Sequence, residues 1–441
     1  MTSSTSIIVL ASGLACLTVW GALGGMFAFN DAVKGGPWLA TATLAAVLFT
    51  PTLAIAAAPD VFRANVGRDL YEAEAALSVL RGITAGLTGL AAVAAAAALV
   101  GRRPAPPTPV VILLAYLLYL PLITLAVGVF DPRQLLLPGL VLAATTCWAT
   151  PRDQIYRLAG VLLRIMVVGS AALAVVAPSL AFLERFLEST RFFGIPQLAG
   201  LTTHPNVLGP LAALALLVEL ARPPWRRRLP WLVLDIVVLV WSGSRTGWLC
   251  ALAVLAVVVV RENVRERIPA LLAIIGATVG VLVTSGSTSI FSLTGRNEAW
   301  AIATSMLGES PVVGNGIGSY LAAASARDLG WANTAHNQVL HSLAEGGLIG
   351  GLLVVGFLLA AFRWAVRSWR DGEWVPMGLV AAFTANSVGE TPIGQHGLIT
   401  LMVMVMCARP TPEPGSRRTT AERTEVDPLD RGGREALLTA R

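Results

Sequence analysis

Apolar runs of membrane-crossing length recur along this chain, separated by short charged or Pro/Gly-rich stretches. A helix crossing the hydrocarbon core needs roughly 20 largely apolar residues. The pattern predicts spans near 7–29, 38–58, 82–100, 109–128, 135–149, 158–182, 206–221, 229–242, 246–260, 268–285, 340–362, 375–388 and 397–408. The short runs 229–242 and 375–388 read equally well as bent helices or half-spans. The first run is too long for a signal-peptide core and has no basic stretch before it, so it reads as a retained span. Because the bilayer core demands that backbone polar groups pair internally, helices are the expected solution. The expectation is therefore an all-α polytopic membrane protein with about 12–13 transmembrane helices, in which residues 1–408 form one membrane domain.

Charge gives the predicted spans a direction. The loop 222–230 carries four arginines and no acid, and 261–267 and 363–370 carry three arginines each. Short loops of this kind belong in the cytoplasm. The Pro-, Arg-, Thr- and Glu-rich stretch 409–441 reads as a disordered cytoplasmic tail. Alternation then puts 183–205, the corner 242–245, the long stretch 286–339 and 389–396 outside. All four histidines, His204, His336, His341 and His396, fall on that side or at its boundary. The stretch 286–339 is predicted to be partly helical: a Ser/Thr/Gly linker, an amphipathic helix from Arg296, a glycine-rich turn from Pro311 to Ser319, and a short helix around Tyr320 to Asp328. It is expected to pack over the membrane domain as a cap.

Composition agrees with this picture: 55% hydrophobic and 13% charged residues in 441, with a mean hydropathy of +0.70. The formal charge of +6 resides in span-flanking loops and the tail, which argues against nucleic-acid binding. The cysteines Cys16, Cys147, Cys250 and Cys407 all fall inside apolar runs without ligand spacing, so neither a disulfide framework nor a metal site is expected. No cofactor is called for.

Four outer stretches carry polar groups worth weighing. In Thr203-His-Pro-Asn206, His204 and Asn206 are pocket candidates, although this is also how a helix entry is capped. In Ser242-Gly-Ser-Arg245, an arginine at the outer edge is a functional candidate by default; alternatively Arg245 snorkels to lipid phosphate or pairs with Asp235. Arg296 and Trp300 lie one helical turn apart, so both can face one side, unless Arg296 is a solvated surface residue. The glycines of 311–319 permit close backbone approach to a ligand. Finally, His336 sits at the mouth beside Asn337, His341 and Glu345 lie one turn apart and can satisfy each other, and Gly346, Gly347, Gly350 and Gly351 read as tight helix packing. Two arginines and a histidine at a capped mouth suit a phosphate-bearing substrate, because guanidinium stays charged and binds phosphate oxygens bidentately. A histidine is the usual base where a hydroxyl must lose its proton.

These residues resemble the O-antigen ligase and O-antigen polymerase superfamily of bacterial envelope glycosyltransferases. The resemblance rests on Thr203-His-Pro-Asn206, Ser244-Arg245, Gly295-Arg296 with Trp300, Pro311-x-x-Gly314-x-Gly316, and His336-Asn337 followed after nine residues by Gly347-x-x-Gly350. It implies a GT-C-like membrane fold and a metal-independent, inverting transfer of glycan from a polyprenyl (undecaprenyl) diphosphate carrier. The acceptor, on the extracytoplasmic face of the bacterial plasma membrane, would be a glycan, lipid or protein hydroxyl. By carry-over, Arg245 and Arg296 would bind the diphosphate and His336 would act on the acceptor, with His204, Asn206, Asn337 and Trp300 lining the pocket. Ligase, polymerase and O-linked protein glycosylating relatives share these motifs. A transporter of a lipid-linked or anionic substrate is the alternative of another class, and would show pseudo-symmetric halves with polar groups at mid-membrane depth.

Overall fold

The computed structural model describes residues 105–182, 196–222, 224–261, 296–329 and 332–410, together with Ala45, Leu48, Phe49 and Thr52. The predicted spans 7–29, 82–100 and 268–285, most of 38–58, the linker before Arg296 and the tail beyond residue 410 lie outside these residues. Every regular element described is helical, and apart from short single turns the helices are α1 (Thr108–Ala126), α2 (Leu136–Ala144), α3 (Arg152–Val176), α4 (Pro205–Leu220), α5 (Leu229–Ser242), α6 (Arg245–Val260), α7 (Arg296–Glu309), α8 (Ser319–Ser325), α9 (Gln338–Arg370), α10 (Val375–Gly389) and α11 (His396–Cys407). Three of these, α1, α3 and α9, are long and apolar enough to cross a membrane by themselves, and shorter apolar helices accompany them. The chain is an all-α polytopic membrane protein.

Local chemistry fixes the helix starts. Proline occupies the first turn of α1, α4, α5 and α10, where its missing N–H costs nothing. α3 starts at Arg152, earlier than the apolar run suggests, because Pro151 introduces a polar first turn. α5 and α6 reverse through Gly243 and Ser244, and the Ser244 hydroxyl caps α6 by accepting the Gly247 N–H. The runs 229–242 and 375–388 each form one helix.

The main core joins α3, α4, α6, α10 and α11, with α9 packed along α1. α4 and α6 touch backbone to backbone, since a Cβ on Gly247 would stand 2.7 Å from Gly209 Cα. A smaller core lies under α7 and α8, where Ala299, Ile302, Ala303 and Met306 meet Tyr320, Ala324 and Ala344 of α9. The Tyr320 hydroxyl donates to the Ala299 carbonyl at 3.0 Å. The tail is tied in as far as Arg409, whose N–H and carbonyl bond Thr150 and Arg152.

The glycines of 311–319 pack against α9. That helix breaks at Gly347 (φ 59°, ψ −160°), and the Leu348 and Ile349 N–H groups freed by the break donate to the carbonyls of Pro311 and Val312. In return the Glu345 carbonyl accepts from Asn315 and Gly316. A Cβ on Gly314 (φ +79°) would stand 2.3 Å from the Gly347 nitrogen, so only glycine fits on both sides.

Candidate functional site

One end of the bundle gathers the first turns of α4, α6, α7 and α9 and the last residue of α10. At their meeting point lies Glu390, only 7% exposed. Its Oε1 accepts from Asn206 Nδ2 at 2.7 Å and from the Arg296 guanidinium at 3.3 Å, and its Oε2 meets His336 Nδ1 at 3.2 Å. Gly389, just before it, touches Thr246 of α6 and sits close to the Arg296 guanidinium, so Arg245 and Arg296 reach one neighbourhood. Three helix N-termini, those of α4, α6 and α9, therefore border the cluster, and each carries partial positive charge that favours an anion.

Burial alone would raise the Glu390 carboxyl, but the hydrogen bond and charge of His336, followed by the charge of Arg296, hold it below the usual carboxylate range. Burial pushes His204 down, toward the neutral ring. His336 itself has a left-handed backbone (φ 47°), a conformation that costs a non-glycine residue on the order of 1–2 kcal/mol and that clusters at functional sites. An imidazole that donates to Glu390 from Nδ1 has Nε2 as its other ring nitrogen to present toward the site.

Of the predicted site residues, Asn206, Arg296 and His336 converge on Glu390, and Arg245 lies beside them. His204 caps α4, its Nδ1 accepting the Asn206 N–H at 3.0 Å, and so orients Asn206. Asn337 caps α9 by accepting the Leu340 N–H, and its Nδ2 donates to the Val388 carbonyl at 3.2 Å. Trp300 is half-buried on α7, with its indole N–H unpartnered among the described residues; it makes no bond to the cluster. Asp235 lies near Glu219 and Arg164, not near Arg245. His341 and Glu345 do pair, at 3.6 Å.

Sequence reading missed Glu390. The cluster looked purely cationic, yet a carboxylate stands at its centre. The available signal was a lone acid ending an apolar span, Ser387-Val-Gly-Glu390, on the side where the histidines collect.

Residues 230–355 match the family model described as O-Antigen ligase. No curated protein matches the chain. The matched region contains Arg245, Arg296, Trp300, His336 and Asn337, and it stops short of Glu390.

Proposed function

We propose that this chain, whose residues 230–355 match the O-Antigen ligase family model, transfers glycan from a polyprenyl diphosphate carrier to an acceptor hydroxyl at the Glu390 end of the bundle. The observation that carries this reading is the meeting of His336, Glu390, Arg296 and Asn206 from four separate segments. Arg222 and Arg226 to Arg228 lie beyond the far end of α4 from Asn206, which under the positive-inside rule supports an extracytoplasmic site in a bacterial plasma membrane.

In the reaction, the acceptor oxygen attacks the anomeric carbon from the face opposite the diphosphate, the bond to the diphosphate oxygen breaks, and configuration inverts. His336 Nε2 takes the hydroxyl proton. Glu390 holds the ring in that tautomer and stabilises the imidazolium that forms, in the manner of the carboxylate of a catalytic triad. Arg296 spends one of its five donors on Glu390 in a single 3.3 Å contact, leaving donors for phosphate oxygens; Arg245 and the helix N-termini supply further positive potential for the leaving diphosphate. These residues perform the chemistry without a metal ion. The polar set lies at one end and not at mid-depth, which favours transfer over transport.

The test replaces His336, Arg245 or Arg296 with Ala in cells and follows lipid-linked glycan and surface polymer. Each variant is expected to lose polymer, by about 10²- to 10⁴-fold for the base. Polymer of normal length and attachment in all three variants would sink the reading. Long chains stranded on the carrier identify a ligase, and single repeat units identify a polymerase.

A further inference from the structure

Building on the glycosyl-transfer reading, we infer that Gln338 is a positioning residue that fixes the Glu390 carboxylate against His336. Gln338 opens α9 two residues after His336 and is 1% exposed. Its Oε1 accepts the Ile393 N–H at 3.0 Å, three residues beyond Glu390. Its Nε2 donates to Ser342 Oγ at 3.1 Å. Ser342 donates its one proton to the Gln338 carbonyl at 2.7 Å and accepts from the Tyr116 hydroxyl at 2.8 Å. A hydroxyl has one proton and two acceptor sites, so each group here has one consistent role. An N–H can only donate, so the Ile393 bond also fixes which end of the amide faces which way.

The neighbouring Asn337 completes the arrangement. It grips the Val388 carbonyl, two residues before Glu390, while Gln338 grips Ile393 after it. The loop bearing the carboxylate is thereby referenced, on both sides, to the two residues that follow the histidine. The chain Tyr116–Ser342–Gln338–Ile393 is buried throughout and anchored on α1, so it transmits the position of a rigid membrane helix to Glu390. A misplacement of about 1 Å is enough to open the 3.2 Å contact to His336 and to lower rate by one to two orders of magnitude.

The test uses the full chain in membranes, at matched abundance. Gln338→Met, which keeps volume and removes both hydrogen bonds, is expected to lower glycan transfer about tenfold, consistent with such a misplacement. Binding of undecaprenyl diphosphate, the probe for the donor site, stays unchanged, whereas a general loosening of the fold would weaken it too. In a Glu390→Gln background the same substitution should cost nothing further, since residues acting as one unit are non-additive. Transfer unchanged by Gln338→Met, or lowered by the same factor in both backgrounds, overturns the inference. Should Gln338→Met fail to accumulate, Ser342→Ala removes the Nε2 acceptor and is judged by the same criteria. Undecaprenyl diphosphate binding that is indifferent to Arg245→Ala and Arg296→Ala would sink the donor reading instead, independently of Gln338.

Discussion

Each end of the bundle buries a glutamate among arginines, yet the two are built differently. At the arginine-rich end, Glu219 is 1% exposed and receives Arg164 on both oxygens, at 2.7 and 2.8 Å, with Arg228 at 3.2 Å. Arg164 also stacks over Trp231. This is a closed, fully engaged pair of the kind that holds α3 to α4 and α5. At the other end, Glu390 has one contact each from an amide, an imidazole and a guanidinium. At the first end a guanidinium grips the carboxylate with two donors, one on each oxygen; at the second, Arg296 gives Glu390 a single donor. The two-donor grip suits packing, and the single contact fits the proposed role of Arg296 toward a ligand.

Deleting the arginines separates the two most strongly. Arg164→Ala leaves the buried Glu219 with Arg228 alone and should cost about 3 kcal/mol, the scale for breaking a buried pair, read as thermal unfolding in detergent, while transfer per folded molecule holds. Arg296→Ala leaves Glu390 with Asn206 and His336, so stability should fall by only about 1 kcal/mol, while transfer is lost. The reverse pattern would mean that the ends have been assigned the wrong way round.

The glycines sharpen the comparison on a smaller scale. Gly389→Ala would drive its Cβ to 2.5 Å from Thr246 and against the Arg296 guanidinium; the expected cost is about 1–3 kcal/mol, together with a fall in transfer. Gly378→Ala, remote from the cluster, meets only the end of Leu217 at 2.6 Å and should leave transfer per folded molecule intact. Equal loss of transfer in both variants would argue against a special geometry around Glu390.

The smallest effect expected is in pH. Because Glu390 is held below the usual carboxylate range, its pairing is fully present above the unfolded value of about 4.3. It declines as pH falls below that value and is gone once pH has passed through the depressed folded value. Unfolding of the wild-type chain in detergent should therefore keep the whole Glu390 contribution down to about pH 4.3 and lose it below, and Glu390→Gln should flatten this acid limb. An identical acid limb in both chains would show that the carboxylate gains nothing from its partners.

Much of the fold was legible in the sequence because hydrophobic runs report helices directly. α4, α5, α6, α10 and α11 begin and end within a residue or so of the runs that predict them. Arg296, His336 and Asn206 were legible as unusual polar residues at span ends. Glu390 was not, because its three partners lie 54, 94 and 184 residues away, and no periodicity records such distances. Nor was the Gly347 break legible: small-residue spacing announces close packing but does not reveal that the partner is a loop and not a helix.

That break bears on the order in which the chain is made. The Leu348 and Ile349 N–H groups would stand unmatched in an apolar setting, at several kcal/mol, until Pro311 and Val312 dock onto them. Synthesis runs from the N-terminus, so the loop that completes the helix has already emerged when the helix enters the membrane. The irregular span thus meets its missing partner on arrival, and the segment before α9 acts as a template that the ribosome delivers first.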